Sequence, residues 1–97
     1  MRDIDINLVR DMLSRNEIEF AGLFGSRARG DENENSDLDI LIRFKSGSHK
    51  SLLDLIHIQN EISDRLGTTV DLVTEASLSP YIKDYVVRDL KPIYGER

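Results

Sequence analysis

Two aspartates separated by one residue, Asp37 and Asp39, stand at the head of an apolar segment that alternates in the manner of a β-strand. Side chains at positions i and i+2 of a strand point to the same face, so the two carboxylates lie side by side. Such a pair repels itself unless one member keeps its proton or a cation neutralises both. Mg²⁺ takes oxygen ligands and is usually bound by one or two carboxylates together with substrate phosphates. The pair therefore predicts a divalent-metal site, although a solvated strand end is the commoner reason for this pattern.

A third acidic residue, Asp71, interrupts the segment Thr69–Val73, which is rich in β-branched residues. A carboxylate in an apolar strand costs free energy unless it is paired, binds a metal or lies on an exposed face. Two interpretations stay open at this point. Asp71 either faces solvent or supplies a third ligand to the metal site of Asp37 and Asp39.

A glycine-bounded turn, Gly25–Gly30, directly follows another apolar segment and contains Ser26, Arg27 and Arg29. Backbone N–H groups at the start of a helix bind anions, and glycine lets a phosphate approach the chain closely. The serine can cap a short helix and donate to a phosphate oxygen, while the two arginines add positive charge. A tight turn that binds nothing is the alternative. The turn is not a P-loop, because the two residues after Gly30 are acidic where that motif requires Lys and Ser or Thr.

A calcium-binding loop is a competing interpretation of the acidic segment. Acidic and amide side chains occupy the alternate positions of an EF-hand loop, namely Asp31, Asn33, Asn35 and Asp37. The position that requires glycine is Ser36, and the position that requires glutamate is Ile42. The flanking segments also lack the pattern of two long helices, so the calcium loop is disfavoured.

The apolar periodicity predicts helices and strands in alternation, in the order α-β-α-β-α-β-α. We expect a helix at 4–15, a strand at 20–24, a short helix in 25–30, a strand at 38–44, a helix at 52–66 stopped by Gly67, a strand at 69–73, and a helix that begins at Ser79–Pro80 and ends at Pro92. The predicted fold class is α/β (α+β), with a small mixed β-sheet of three or more strands packed against helices. A length of 97 residues predicts one domain, 1–97.

The amino-acid composition argues against several classes of function. Thirteen basic against eighteen acidic residues give a net charge of −5, so stand-alone binding to nucleic acid is not expected. The absence of Cys excludes disulfides and thiolate chemistry, and two histidines, His49 and His57, are too few for a three-His zinc site. The sequence has neither a membrane-spanning apolar segment nor a signal peptide, and a cytoplasmic location is therefore expected.

Taken together, these residues resemble the minimal nucleotidyltransferases of the DNA polymerase β-like superfamily. The family pattern is Gly-Ser, a spacer and then Asp-x-Asp. Here Gly25–Ser26 is followed by the ten residues Arg27–Ser36 and then by Asp37–Asp39. The third family carboxylate lies alone on a separate strand and maps to Asp71. The resemblance covers nearly the whole chain, because the order of the elements also agrees.

The resemblance implies two Mg²⁺ ions about 3.5–4 Å apart between the three carboxylates. Asp37 and Asp39 would bridge the two ions. Asp71 would complete the site of the ion that faces the acceptor hydroxyl and would help to lower the pKa of that hydroxyl. Mn²⁺ suits the same oxygen ligands.

The resemblance also implies ATP as the nucleotide donor. Gly25 and Ser26 would hold its β- and γ-phosphates, and Arg27 and Arg29 would face the leaving pyrophosphate or make surface ion pairs. The acceptor hydroxyl would attack the α-phosphorus in line, with pyrophosphate as the leaving group.

In size and motif the chain looks like the antitoxin half of a toxin–antitoxin pair with a HEPN-type RNase toxin, whose tyrosine would receive AMP. Two alternatives stay open. The chain could be a non-catalytic antitoxin that occludes its partner, or a small-molecule (aminoglycoside-type) nucleotidyltransferase that needs a homo-oligomer, namely a homodimer, to form its pocket. Tyr81 and Tyr85 share a stripe of the last helix, where they either anchor a partner or, as the preferred interpretation, cover the edge of the domain's own core.

Overall fold

The computed structural model describes residues 5–25 and 37–96. In this part of the chain, three α-helices, one short 3₁₀ helix and four strands follow one another. Their bounds are α1 Ile6–Ser14, β1 Ile18–Phe24, β2 Leu38–Phe44, α2 Leu52–Leu66, β3 Val70–Thr74, the 3₁₀ helix Glu75–Ser77, α3 Pro80–Arg88 and β4 Lys91–Tyr94. The short helix expected in 25–30 lies, apart from Gly25, outside the described residues.

The strands form a mixed four-stranded sheet in the order β3-β2-β1-β4. β1 pairs with β2 and with β4 in antiparallel fashion, and β2 pairs with β3 in parallel fashion. The parallel pair is connected through α2, as a parallel connection requires a crossover. The amino ends of β2 and β3 therefore lie at the same edge of the sheet, next to the carboxyl end of β1. The expected mixed sheet packed against helices is confirmed.

Local capping explains where the helices begin and end. The hydroxyl of Ser79 accepts a hydrogen bond from the backbone N–H of Tyr81 at 3.1 Å, and Pro80 fills the first position of α3. Ser51 and Asp54 form a capping box at the start of α2. Gly67 ends α2 in the left-handed conformation with φ 68°, as its position in the sequence predicts.

The core lies between one face of the sheet and the helices α1 and α2. α1 buries Val9 and Leu13, and α2 buries Ile58 and Ile62. The facing sheet residues are Leu38, Ile40, Ile42, Val70 and Leu72. No helix within residues 5–25 and 37–96 is long and apolar enough to cross a membrane.

The fourth strand is the element that the sequence pattern did not predict. Pro92 was expected to end the last helix, but that helix already ends at Arg88 and Pro92 lies within β4, opposite Gly22 of β1. Proline is tolerated there because β4 is an edge strand. Leu90 packs over Gly22, where a Cβ would stand 2.7 Å from the Leu90 Cδ1 atom. Four residues form too short a segment for a clear periodic pattern.

Candidate active site

Asp39 and Asp71 lie directly opposite each other in the parallel pair of β2 and β3. Leu38 and Val70, which immediately precede the two aspartates, are buried in the core beneath the sheet. Because successive side chains of a strand alternate between faces, both aspartates lie on the opposite face. The sheet register therefore brings together two carboxylates that belong to different strands.

The environment of Asp39 raises the pKa of its carboxyl above the ordinary value of 3.8. Partial burial is the largest cause, and the negative charges of Asp71 and Asp37 add to it. The next residue of β2 on the same face, Leu41, is also buried, so this face of the sheet is covered one step further along the strand. The other two predicted carboxylates therefore lie close enough for their charges to act on Asp39.

Asp37 precedes β2 and is exposed to solvent. Asp71 is also exposed, whereas Asp39 is half-buried. No group of three or more acidic or histidine side chains among residues 5–25 and 37–96 converges closely enough to hold a metal ion as the side chains stand. The backbone thus places the three aspartates at one edge of the sheet without bringing all their carboxylates to one point.

Gly25 immediately follows β1 and contacts the side chain of Asp39. Its φ of 77° lies in the left-handed region, and a Cβ at this position would overlap the Oδ2 atom of Asp39. Phe24, the residue before it, is the register partner of Asp39 across the antiparallel pair. The backbone at residue 25 can therefore come close to the aspartates only because it carries no side chain.

The other residues of the predicted nucleotide-binding turn, Ser26, Arg27 and Arg29, lie outside the described residues. The same holds for Asp31, Asn33 and Asn35 of the disfavoured calcium loop. For the chemistry, the described donor set consists of carboxylate oxygens on two adjacent strands, beside a backbone that lacks a Cβ. Carboxylate oxygens are the ligands that Mg²⁺ prefers, and a divalent cation would relieve the repulsion that, after burial, contributes to the raised pKa of Asp39. The aspartates are therefore of the ligand type that the implied metal requires, and their side chains would have to converge to bind it.

The two tyrosines of the last helix do not cover the core. The side chains of Tyr81 and Tyr85 are 88% and 67% exposed, and the neighbouring Ile82 is 49% exposed. α3 has no buried residue, although its sequence is amphipathic. The interpretation that the rings cover the edge of the domain's own core is therefore wrong. Tyr81, Ile82 and Tyr85 form the exposed stripe of α3, whereas Val86 and Val87 are half-buried.

A cavity that the sequence pattern did not predict lies far from the aspartates. It has a volume of about 420 Å³ and lies at the carboxyl ends of β2 and β3, where Phe44, Thr74 and Lys83 line it. The aspartates lie at the amino ends of the same strands. Only the tertiary arrangement forms this cavity, because its walls come from separate elements. The two histidines are exposed: His49 precedes α2, and His57 lies within it.

A four-stranded mixed sheet that places acidic residues opposite each other on adjacent strands, beside Gly25 at the end of the neighbouring strand, is compatible with the class of enzymes that transfer phosphoryl or nucleotidyl groups. The comparison with known families narrows this class. The chain belongs to the family described as "Polymerase beta, Nucleotidyltransferase", which matches residues 3–97. The predicted superfamily is thereby confirmed.

Several curated relatives are similar over most of their length. A protein of Methanocaldococcus jannaschii, provisionally named a protein adenylyltransferase, is 40% identical over 78 residues, which are 80% of this chain and 82% of the relative. The protein adenylyltransferase MntA of Thermococcus cleftensis is 36% identical over 81 residues, which are 84% of this chain and 80% of the relative.

Solved structures agree with the fold. One of them, a toxin–antitoxin with AMP-PNP, matches with a TM-score of 0.84 and 25% identity, covering 97% of this chain and 76% of the other. A second, the MNT antitoxin in complex with a tri-AMPylated HEPN toxin of Shewanella oneidensis, has a TM-score of 0.73 and 22% identity and covers 94% and 70% of the two chains. Because its sequence identity is only 22%, the second match is evidence for a shared fold alone.

Proposed function

We propose that this chain is a Mg²⁺-dependent protein adenylyltransferase, which transfers AMP from ATP to an acceptor hydroxyl and releases pyrophosphate. The pairing of Asp39 with Asp71 beside Gly25 is the observation that carries this proposal. Membership of the nucleotidyltransferase family and the names of the relatives support it. The proposed catalytic unit is one minimal domain, 1–97. Its need for ATP fits a cytoplasmic location.

In the proposed site, Asp37, Asp39 and Asp71 hold Mg²⁺, and Mn²⁺ suits the same ligands. The bound metal supplies the positive charge that lets these carboxylates and a triphosphate share one site, and it lowers the pKa of the acceptor hydroxyl. Asp39 and Asp71 fix this charge at the edge of the sheet, because both belong to paired strands. Asp37 extends the donor set from the residue before β2.

The glycine turn binds the nucleotide in this proposal. Gly25 and Ser26 hold the β- and γ-phosphates, since the backbone at Gly25 presents no side chain on the approach to the aspartates. Arg27 and Arg29 face the leaving pyrophosphate. The acceptor oxygen forms a bond to the α-phosphorus, the bond from that phosphorus to the bridging oxygen breaks, and the hydroxyl proton passes to water. Such catalysis consists mainly of positioning and charge neutralisation.

The proposed acceptor is a tyrosine of a HEPN-type toxin that forms a toxin–antitoxin pair with this chain. The similar solved toxin–antitoxin with AMP-PNP supports the pairing, and the exposed stripe of α3 offers a surface for it. Tyrosine side chains are enriched among the residues that dominate protein interfaces. We place the toxin on Tyr81, Ile82 and Tyr85.

The experiment that tests the function measures the intact mass of proteins that co-purify with this chain, before and after addition of ATP and Mg²⁺. We expect the partner to gain one or more AMP units. The double variant Asp37→Asn, Asp39→Asn should leave the partner mass unchanged. Glu61→Gln combined with Asp64→Asn, which removes two exposed charges of α2, is the matched control and should transfer AMP as the wild type does.

The exposed stripe of α3 also supports a second candidate, a non-catalytic antitoxin that occludes its partner. A stable partner without any mass gain in the wild type would contradict the enzyme and favour this candidate. The same conclusion would follow if Asp37→Asn, Asp39→Asn neutralised the toxin in cells as well as the wild type.

A further inference from the structure

β3 is an edge strand of the sheet, and its free edge carries one notable hydrogen bond. Among residues 5–25 and 37–96, the order β3-β2-β1-β4 leaves one side of β3 without a neighbouring strand. On that side, the backbone N–H of Leu72 donates to the side-chain Oε1 atom of Gln59 at 2.9 Å. Leu72 is 4% exposed, so its N–H has little access to water. The amide of Gln59 therefore replaces the missing strand at the residue that follows Asp71.

A second hydrogen bond joins the same face of α2 to the other side of Asp71. The hydroxyl of Ser63 donates to the backbone carbonyl of Thr68 at 2.6 Å. Gln59 and Ser63 are four residues apart and so share one face of the helix. These two side chains contact the backbone at Thr68, before Asp71, and at Leu72, after it. The two contacts fix the position of residues 68–72 relative to α2.

The other side of β3 is held by the parallel ladder with β2. The backbone N–H of Leu38 donates to the carbonyl of Thr69 at 2.9 Å, and the register places Asp71 opposite Asp39. The strand that carries Asp71 is thus bonded on one side to β2 and on the other to α2. Without the Gln59 acceptor, the N–H of Leu72 would be buried and unpaired, which costs free energy. A shift of β3 that exposes this N–H to water would then lower the free energy.

We propose that Gln59 is a positioning residue for the metal site: its side-chain carbonyl closes the free edge of β3 at Leu72 and thereby holds Asp71 opposite Asp39. This inference rests on the proposed function, in which Asp71 is a metal ligand. Gln59 belongs to α2, contacts β3 from the side away from β2, and is not among the residues proposed to hold metal or nucleotide. Residues that orient metal ligands in this indirect way typically affect metal affinity by about 10–100-fold.

The test compares Gln59→Met, which keeps the length of the side chain and loses the acceptor, with Gln59→Glu, which retains an acceptor oxygen. Asn60→Met is the matched control, because Asn60 is an exposed neighbouring amide on the same helix. The first measurement is Mn²⁺ binding to the full chain without nucleotide, by electron paramagnetic resonance. The second is the Mg²⁺ concentration for half-maximal AMP transfer to the co-purified partner, together with the KM for ATP.

We expect Gln59→Met to weaken Mn²⁺ binding and to raise the half-saturating Mg²⁺ concentration by about tenfold, with the KM for ATP unchanged. Gln59→Glu and Asn60→Met should behave as the wild type. A purely structural role would lower the amount of active protein without moving a half-saturating concentration. Faster hydrogen exchange at the Leu72 amide in Gln59→Met alone would show that the edge has opened.

Wild-type metal affinity in a folded Gln59→Met variant would overturn the inference and leave the proposed function intact. A wild-type chain that neither binds Mn²⁺ nor transfers AMP would overturn the proposed function, and the inference with it. If Gln59→Met fails to fold, Gln59→Asn decides, because it keeps the amide but is too short to reach Leu72. Weaker Mn²⁺ binding in Gln59→Asn supports the inference, and unchanged binding refutes it.

Discussion

The carboxylate of Asp39 lies against the Cα atom of Gly25, at the place where any other residue would carry its Cβ. The two residues come together because the carboxyl end of β1 and the amino end of β2 are neighbours in the antiparallel pair. This contact makes the glycine a steric requirement of the site as well as a conformational one.

We expect Gly25→Ala to lower AMP transfer by at least tenfold, because the new methyl group must displace the Asp39 carboxylate. It should also lower stability by more than the ~1–2 kcal/mol that a left-handed φ costs a residue with a Cβ. Steady-state transfer kinetics and thermal unfolding measure the two effects.

The matched control is Gly47→Ala. Gly47 has a similar φ of 82°, but a Cβ there would meet nothing within 4 Å. This variant should show only the conformational cost and full activity. Equal losses of stability and activity in the two variants would show that the contact with Asp39 is unimportant.

Neutralising Asp39 should stabilise the metal-free protein while it abolishes transfer. Its folded pKa is raised, so the folded state binds the proton more tightly than the unfolded chain does. The charged carboxylate therefore lowers the free energy of unfolding. This destabilisation is absent below the unfolded pKa of 3.8 and grows as the pH rises through the raised folded pKa. Asp39→Asn should therefore raise Tm at pH 7 in metal-free buffer, because it removes the charge that burial and the neighbouring aspartates disfavour in the folded state.

Thermal unfolding in a chelating buffer, from pH 3 to pH 8, measures this difference. The Tm values of Asp39→Asn and the wild type should converge at the acid end. Added Mg²⁺ should raise the Tm of the wild type and leave that of the variant unchanged. A variant that is less stable than the wild type at pH 7 would contradict the electrostatic account.

Asp54 should show the opposite pH dependence. The backbone N–H of Ser51 is the main cause of its lowered pKa, and the Ser51 hydroxyl adds to it. The stability that Asp54 contributes is present above its unfolded pKa of 3.8 and is lost as the pH falls through the lower folded pKa. Asp54→Asn should thus lower Tm slightly at pH 7, with no difference at the lowest pH and with unchanged transfer activity.

The same unfolding series tests this expectation. Asp54 lies in the capping box of α2 and is not one of the aspartates of the site, so its effect on stability can be measured separately. A difference in Tm between Asp54→Asn and the wild type that persists at the lowest pH would show that the carboxylate charge is not the cause. Loss of transfer activity would contradict its purely structural role.

Removing the aromatic rings of α3 should weaken partner binding and leave the stability of the fold nearly unchanged. Tyr81→Ala combined with Tyr85→Ala should weaken the complex by about 30-fold or more, the effect of losing an interface residue worth about 2 kcal/mol. Stability should change by less than about 0.5 kcal/mol per residue, because both rings are exposed. Calorimetric titration with the partner and thermal unfolding provide the two measurements.

Leu53→Ala is the control for this surface, since Leu53 is 69% exposed but lies on α2. It should bind the partner with wild-type affinity. Unchanged binding in the tyrosine variant would move the partner to another face of the molecule.

Local structure could be predicted from the sequence because its determinants lie close together in the chain. Ser79 and Pro80 mark a helix start by a cap and a fixed φ, and Gly67 marks a helix end by its left-handed conformation. The prediction that Asp37 and Asp39 share one face depends only on the alternation of a strand, but Asp37 precedes β2, so strand alternation does not fix its side chain. The combination of Gly25 with these aspartates was enough to indicate the family, which the family comparison confirms.

Relationships between distant segments required the tertiary structure. The pairing of Asp39 with Asp71 depends on the register of two parallel strands joined by a helix, which no local pattern fixes. The burial that raises the pKa of Asp39 depends on what packs beside it. α3 illustrates the same limit, because an amphipathic pattern predicts that a helix has an apolar stripe but not whether its own domain covers that stripe. The helices α1 and α2 contribute buried residues to the core and α3 contributes none, so Tyr81 and Tyr85 stay in contact with water.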